Sequence, residues 1–296
     1  MSKKHTKADL YSLCFILGFI LMLLFPIYGR VLDPYIILSG VTADAPLNPP
    51  TYESIMDGSY QSSLNTRVEN NFPGRKILIK TRSQLMYSLL NESPNKNVII
   101  GEEKQLYEPQ YIYREQGIHS TQEQQIQETI DKLEILQDLL NAQGKELYLF
   151  ITPSKAHFNN EYIPSYFKLA KQPGENDYEK FSRLLKDSSL CYFDSPEYIE
   201  NYSGDDIEAP IFYSTGIHWS HPWGYSSVKA FWEMMDAHSR WNLSKLSLSI
   251  FPTDVPIYPS KDLFDSLNLL EDPTGIQFYG ASLSIAEPGD KPNIFF

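Results

Sequence analysis

The chain has 296 residues, of which 42% are hydrophobic and 14% are aromatic, and its net charge is −12. This length suits one medium domain with an anchor, or at most two small domains. The acidic balance argues against a nucleic-acid partner, because such a partner requires a basic surface. The two cysteines, Cys14 and Cys191, suggest no disulfide, and no Cys/His cluster has the spacing of a zinc site. We therefore expect neither a metal nor a cofactor.

An apolar segment lies close to the N-terminus. Residues 10–29, LYSLCFILGFILMLLFPIYG, carry no charge and are long enough to cross the roughly 30 Å hydrocarbon core of a bilayer as a helix. Lys3, Lys4 and Lys7 precede the segment, so the positive-inside rule keeps residues 1–9 in the cytoplasm and places the rest outside. A cleaved signal peptide is the alternative, but no A-x-A cleavage site follows. We predict a single-pass cell-membrane anchor with an extracytoplasmic C-terminal domain.

Residues 30–50 are rich in proline, which indicates a linker, so the predicted domain covers residues 51–296. Apolar periodicity and turn residues predict its first elements. These elements are a helix at 75–92, a short hairpin from 97–100 and 105–108, and a helix whose capping box is Ser120 and Glu123 and which ends near Gly144.

The second half of the domain alternates strands with helices. LYLFITP (147–153) is a continuous apolar run, which is typical of a buried parallel strand. The other predicted elements are a helix at 176–187, strands at 189–194 and 210–215, and a helix at 222–238 that begins with Pro222. This order predicts an α/β fold with a mostly parallel sheet. The final residues, PNIFF (292–296), resemble the opening of a buried strand. They predict either a short edge strand or, as we expect, a domain that is incomplete at its C-terminus.

His218 is the main candidate for catalysis. It lies in YSTGIHWSHPWGY (213–225), between a predicted strand and a helix, where open α/β sheets place their sites. A histidine there can act as a general base, although a lone histidine is often structural. His221 is a candidate cap or rim residue, and a metal site with both histidines would lack a third ligand.

Other side chains are expected to border the same substrate cleft. Lys155 follows the strand at 147–153 and is expected to face this cleft, with a solvated loop lysine as the alternative. The full set of cleft candidates is Ser154, Lys155, Tyr213, Trp219 and His221. Ser282 and Ser284 are weak candidates for a nucleophile, because no Gly-x-Ser-x-Gly elbow surrounds them.

Four segments, in this order, resemble the alginate O-acetyltransferase (AlgX/AlgJ-type) family of SGNH hydrolase-like proteins. The segments are NNFPGRKILIKTRSQLMYSLL (70–90), NKNVIIGEEKQLYEPQYI (95–112), LFITPSKAHFNNEYIP (149–164) and STGIHWSHPWGYSSV (214–228). The resemblance extends over residues 50–296. It implies an SGNH hydrolase-like, mostly parallel sheet flanked by helices, preceded here by one N-terminal transmembrane helix.

The resemblance also implies acyl transfer by Ser, His and Asp. His218 matches the family's histidine, whereas the position of its aspartate falls on Gly216. The carboxylate that would orient the imidazole is therefore missing, and Asp194 is one candidate substitute. The family's serine lies in a Gly-x-Ser-Phe turn after a late strand. DKPNIFF (290–296) is similar to that strand, so we expect a chain truncated before the nucleophile.

The resemblance implies a membrane-anchored, extracytoplasmic O-acetyltransferase-like protein that acts in the acetylation of exopolysaccharide or cell-wall glycan. The implied partners are a polysaccharide acceptor, the lipid bilayer and a multispanning membrane O-acyltransferase that delivers the acetyl group. One alternative is a non-catalytic glycan-binding or assembly component, which Gly216 favours. Another is a carbohydrate acetyl esterase that uses water as acceptor.

Overall fold

The computed structural model describes residues 7–40, 46–204 and 206–289. The chain divides into two compact units. The first comprises Met1–Pro94 with Asp265–Asp272, and the second comprises Asn95–Phe264 with Pro273–Phe296. The predicted strand PNIFF lies outside the described residues.

The first unit begins with one long apolar helix, α1 (Lys7–Leu32), which a 3₁₀ turn at Asp33–Tyr35 follows. The mean hydropathy of its most apolar stretch is 2.5, and none of that stretch is buried. Its length and composition therefore suit a membrane span. The helix runs three residues past the predicted anchor and into the predicted linker.

Three further helices of this unit are α2 (Tyr52–Met56), α3 (Ser59–Asn70) and α4 (Arg75–Leu85), and α4 continues into a π-turn at Met86–Leu90. The predicted helix at 75–92 is thus confirmed. The start of α4 is tied to the end of α1, because the Asp33 carboxylate accepts a hydrogen bond of 2.7 Å from the Gly74 amide. Lys76 Nζ adds bonds to the carbonyls of Asp33 and Ile36.

The second unit opens with the predicted hairpin, in which β1 (Ile99–Ile100) pairs antiparallel with β2 (Leu106–Tyr107). Helices α5 (Pro109–Glu115) and α6 (Glu123–Asn141) follow. The predicted capping box is wrong, because Ser120 and Thr121 bond to the Asp177 carboxylate and no side chain caps α6.

A parallel pair of strands forms the centre of this unit. Strand β3 (Leu149–Ile151) runs beside β4 (Tyr192–Asp194), with Leu149 opposite Tyr192. The surrounding helices are α7 (Lys155–Phe158), α8 (Ser165–Leu169), α9 (Asp177–Lys186), α10 (Ser195–Glu200) and α11 (His221–His238). Alternate strand residues pack on opposite sides. Leu149 and Ile151 contact apolar residues of α6 and α9, among them Ile130 and Leu185. Phe150 contacts apolar residues of α11, among them Phe231. Helices cover both faces, which explains why the strand sequence is continuously apolar.

The remaining elements are a long antiparallel hairpin of β5 (Lys245–Thr253) with β6 (Phe278–Glu287), and the short helix α12 (Asp262–Ser266). The predicted α/β fold class is confirmed. Parallel pairing is less extensive than expected, since within the described residues it joins only β3 and β4. The strand predicted at 210–215 is wrong, because that segment is a loop with one bridge, between Phe212 and Trp219.

Candidate active site

A buried lysine organises the loop that leads to His218. Lys155 starts α7, just after β3, and its side chain is 1% exposed. Its Nζ donates to the carbonyls of Tyr213 (2.7 Å), Ser214 (3.1 Å) and Gly216 (2.8 Å). Burial lowers the pKa of Lys155 well below its ordinary value, and the charge of Asp262 opposes this shift. Three acceptors match the three donors of an ammonium group, so this geometry favours the protonated form.

Backbone groups extend this network on both sides of the loop. The Ser214 carbonyl accepts from the Leu106 amide at 2.9 Å. Thr215 Oγ1 donates to the Ser260 carbonyl at 2.8 Å, and the Thr215 carbonyl accepts from the Phe264 amide at 3.0 Å. These bonds explain why 210–215 forms no strand: its polar groups are already paired elsewhere. They also join the loop to the segment 260–264.

His218 lies at the end of this loop, with a side chain that is 54% exposed. Its Nδ1 is 3.0 Å from Asp262 Oδ2, and Asp262 Oδ1 accepts a bond of 3.1 Å from the Ile217 amide. With the carboxylate accepting from Nδ1–H, the lone pair of the neutral ring lies on Nε2. No described residue is hydrogen-bonded to Nε2. The arrangement is a histidine–carboxylate pair with one ring nitrogen open to a reactant.

Gly216 leaves the space that Asp262 occupies. A Cβ at position 216 would lie 2.8 Å from the Ser260 carbonyl oxygen and 3.0 Å from Asp262 Oδ1. Both distances are shorter than ordinary van der Waals contact. A side chain at 216 and the observed position of Asp262 are therefore incompatible without movement.

Asp194 does not substitute for the missing carboxylate. Its oxygens accept hydrogen bonds from Tyr178 Oη and Ser182 Oγ, both at 2.9 Å, and from the Glu197 amide at the start of α10. Asp194 is thus a helix cap and packing partner, and Asp262 is the acid that contacts the imidazole. The sequence offered no local signal for Asp262, which lies 44 residues after His218.

Lys155 and Tyr213 were predicted to border a substrate cleft, and this is wrong, because each is 1% exposed. Tyr213 Oη instead accepts from the Tyr279 amide at 2.8 Å. Trp219 is partly buried, and its ring lies 6.2 Å from that of Phe150 in the core. The side chains of Lys155, Tyr213 and Trp219 thus pack against the protein interior and stabilise the loop that leads to His218.

The other candidates are more peripheral. Ser154 precedes α7 without capping it, and His221 is the first residue of α11, where burial lowers its pKa. Ser282 and Ser284 are exposed on β6, and neither is hydrogen-bonded to His218 in the part of the chain that the structure describes. That part also contains no group of three His, Cys, Asp or Glu residues suited to a metal ion.

Comparison with known proteins gives one family match. Residues 98–232 match the model of the SGNH hydrolase-like domain of the acetyltransferase AlgX, a segment that includes His218 but ends before Asp262. No curated protein sequence matches the chain.

Three solved structures share a similar arrangement of the backbone. The O-acetyltransferase domain of Pseudomonas putida AlgJ is 19% identical, with a TM-score of 0.42 over 63% of this chain and 66% of its own. Bacillus cereus PatB1 is 15% identical, with a TM-score of 0.41 over 64% of this chain and 59% of its own. Pseudomonas aeruginosa AlgX is 13% identical, with a TM-score of 0.41 over 64% of this chain and 44% of its own. The match spans less than two thirds of each of these proteins. The sequence match thus relates residues 98–232 of this chain to the SGNH hydrolase-like domain of the acetyltransferase AlgX.

Proposed function

We propose that the chain is a membrane-anchored, extracytoplasmic O-acetyltransferase-like protein that acts in the acetylation of a polysaccharide. The observation that carries the proposal is the His218–Asp262 pair, with Nδ1 at 3.0 Å from the carboxylate. The imidazole is more than half exposed and lies inside the segment that matches an acetyltransferase family. A reactant can therefore approach Nε2 from solvent.

The pair suits general-base catalysis of acyl transfer. His218 Nε2 accepts the proton of an attacking hydroxyl as its oxygen forms a bond to the carbonyl carbon of an acetyl ester. The bond from that carbon to the oxygen of the donor then breaks, and the imidazolium returns the proton to the departing oxygen. The Asp262 carboxylate holds the ring and stabilises the imidazolium between these events. The acyl-serine of the family is part of the proposal, and its serine is not among the described residues that contact His218.

The proposed location follows from α1. This helix is apolar over the length of a bilayer core, and lysines at positions 3, 4 and 7 precede or begin it. A domain that acetylates polysaccharide outside the cytoplasm needs an acetyl donor that has crossed the membrane. A multispanning membrane acyltransferase is the class of partner that we propose to supply it.

Asp262 weakens the non-catalytic alternative. That alternative drew on Gly216, where the family's carboxylate is missing, and a carboxylate does contact His218 from another segment. An acetyl esterase would use the same pair with water as the acceptor, so the acceptor must be tested directly.

The test uses the complete encoded chain in lipid nanodiscs, an aryl acetate as donor and a panel of neutral and anionic oligosaccharides as acceptors. We expect acetylated oligosaccharide by mass spectrometry, and a loss of about 10²–10⁴-fold in His218→Ala. His238→Ala is the matched control, since His238 is exposed at the far end of α11 and bonds only to the Met234 carbonyl among described residues. Acetate released only to water would indicate an esterase. No turnover, or equal rates in the wild type and His218→Ala, would refute catalysis by this site.

A further inference from the structure

The carboxylate that contacts His218 comes from a different part of the chain than the resemblance implies. We propose that Asp262 is the positioning residue of His218, and that glycine at position 216 is the condition for its presence there. In the family pattern the carboxylate stands two residues before the histidine, whereas here it comes from a segment 44 residues after it. The effect on turnover depends on the proposed function, whereas the effect on the imidazole does not.

Both oxygens of Asp262 are engaged, and this fixes the carboxylate. Oδ1 accepts from the Ile217 amide at 3.1 Å, and Oδ2 lies 3.0 Å from His218 Nδ1. The carboxylate therefore bridges a backbone donor and the ring of the next residue. A surface ion pair with one contact contributes little because its side chains move freely. Here the backbone bond orients the acid, and the Asp262 side chain is only 21% exposed.

The two segments that meet at the pair are also joined behind it. Lys155 Nζ bonds the carbonyls of residues 213, 214 and 216, and Thr215 bonds both the Ser260 carbonyl and the Phe264 amide. The residues on either side of His218 and Asp262 thus belong to one hydrogen-bonded unit. The 3.0 Å distance reflects that unit rather than a chance approach of two loops.

The observed position of Asp262 leaves no room for a side chain at position 216. The backbone of Gly216 is not in the left-handed region, so contact rather than strain argues against a side chain there. Its Cβ would approach the Ser260 carbonyl to 2.8 Å and Asp262 Oδ1 to 3.0 Å. Even a methyl group would have to displace the carboxylate or the backbone that carries it. A side chain at 216 therefore requires a shift of the segment 260–262.

The direct test is the tautomer of His218 in the full chain, read from ring ¹⁵N shifts in histidine-labelled protein at alkaline pH. His218→Ala assigns the signal among the six histidines. We expect an Nδ1–H tautomer in the wild type and a shift towards Nε2–H in Asp262→Gly.

Two further variants keep the result decisive. Gly216→Ala leaves Asp262 in the sequence but adds the methyl group, so we expect it to reduce the Nδ1–H fraction even if Asp262→Gly fails to fold. Asp254→Gly, an exposed acid, is the control and should leave the tautomer unchanged. An unchanged tautomer in Asp262→Gly, or in Gly216→Ala if the former is unfolded, would overturn the proposal.

Turnover gives the second readout. If the enzyme proposal holds, Asp262→Gly should lower kcat by about 10²–10⁴-fold, as expected when a catalytic histidine loses its orienting carboxylate. An inactive wild type would refute the proposed function, and the tautomer measurement would still decide the role of Asp262. Activity that is unchanged in Asp262→Gly would count against the positioning role.

Discussion

Replacing Lys155 with methionine should destabilise the second unit strongly. The substitution keeps an unbranched apolar stem but removes an ammonium that bonds three carbonyls, at 2.7, 3.1 and 2.8 Å. The Ser214 carbonyl keeps its bond from the Leu106 amide, whereas the loss of the lysine bond costs about 1–3 kcal/mol at each of the other two carbonyls. Loss of the buried cation also removes its desolvation cost, which opposes this destabilisation. The two effects together lower the free energy of unfolding by about 2–4 kcal/mol.

Thermal unfolding of the detergent-solubilised chain measures this effect. For a unit of this size, 1 kcal/mol corresponds to a shift in Tm of about 2–4 °C, so we expect Lys155→Met to lower Tm by about 10 °C. Lys168→Met is the matched control. Lys168 is exposed on α8 and bonds a single carbonyl, that of Glu161, so its loss should cost less than about 1 kcal/mol.

A Tm for Lys155→Met within about 2 °C of that for Lys168→Met would contradict this prediction. That result would mean that the three carbonyls find water or other donors at little cost. It would also remove the argument that the loop before His218 is held rigidly from beneath.

Two more predictions concern other regions of the chain. Glu115 and Glu200 raise the pKa of His157 to about 9, above its ordinary 6.5. The charged imidazole therefore stabilises the folded chain fully below about pH 6.5, and this contribution is lost as the pH rises through 9. We expect the free energy of unfolding to fall by about 2 kcal/mol between pH 6.5 and pH 9, after allowance for solvent screening at the half-exposed Glu200. Denaturant titrations at several pH values measure this change, and His157→Asn should not show it. Gly74→Ala should lower the stability of α4 by at least about 2 kcal/mol, as measured by hydrogen exchange of its amides. The reasons are that φ at this position is +88° and that the new Cβ would lie 2.5 Å from the Phe25 ring. Gly58→Ala, with φ of +80° and no atom within 4 Å, carries the strain without the collision, so an equal cost would contradict this explanation.

The sequence predicted the elements whose signal is local. The apolar run at 147–153 and the aromatic strand before Asp194 gave β3 and β4, because strands covered on both faces have few polar residues. Prediction failed at 210–215, where the composition suits a strand but the carbonyls bond to Lys155 and the Leu106 amide. Those partners lie about 60 and 110 residues earlier, beyond the range of any periodic pattern.

The site follows the same division. His218 was found from its neighbours in sequence, and the family match covers it. Asp262 lies beyond the matched residues and begins only a short helix, so nothing near it in the sequence distinguished it from other acidic residues. Lys155 was predicted to border a cleft and is instead 1% exposed, because its burial depends on the packing of segments that are distant in sequence.

The close fit at position 216 makes the imidazole sensitive to a residue that has no side chain. A Cβ there would lie 2.8 Å from the Ser260 carbonyl oxygen and 3.0 Å from Asp262 Oδ1, so a larger residue would have to shift the segment that carries the acid. A substitution at 216 would therefore act on His218 through Asp262, without a direct contact between the new side chain and the ring.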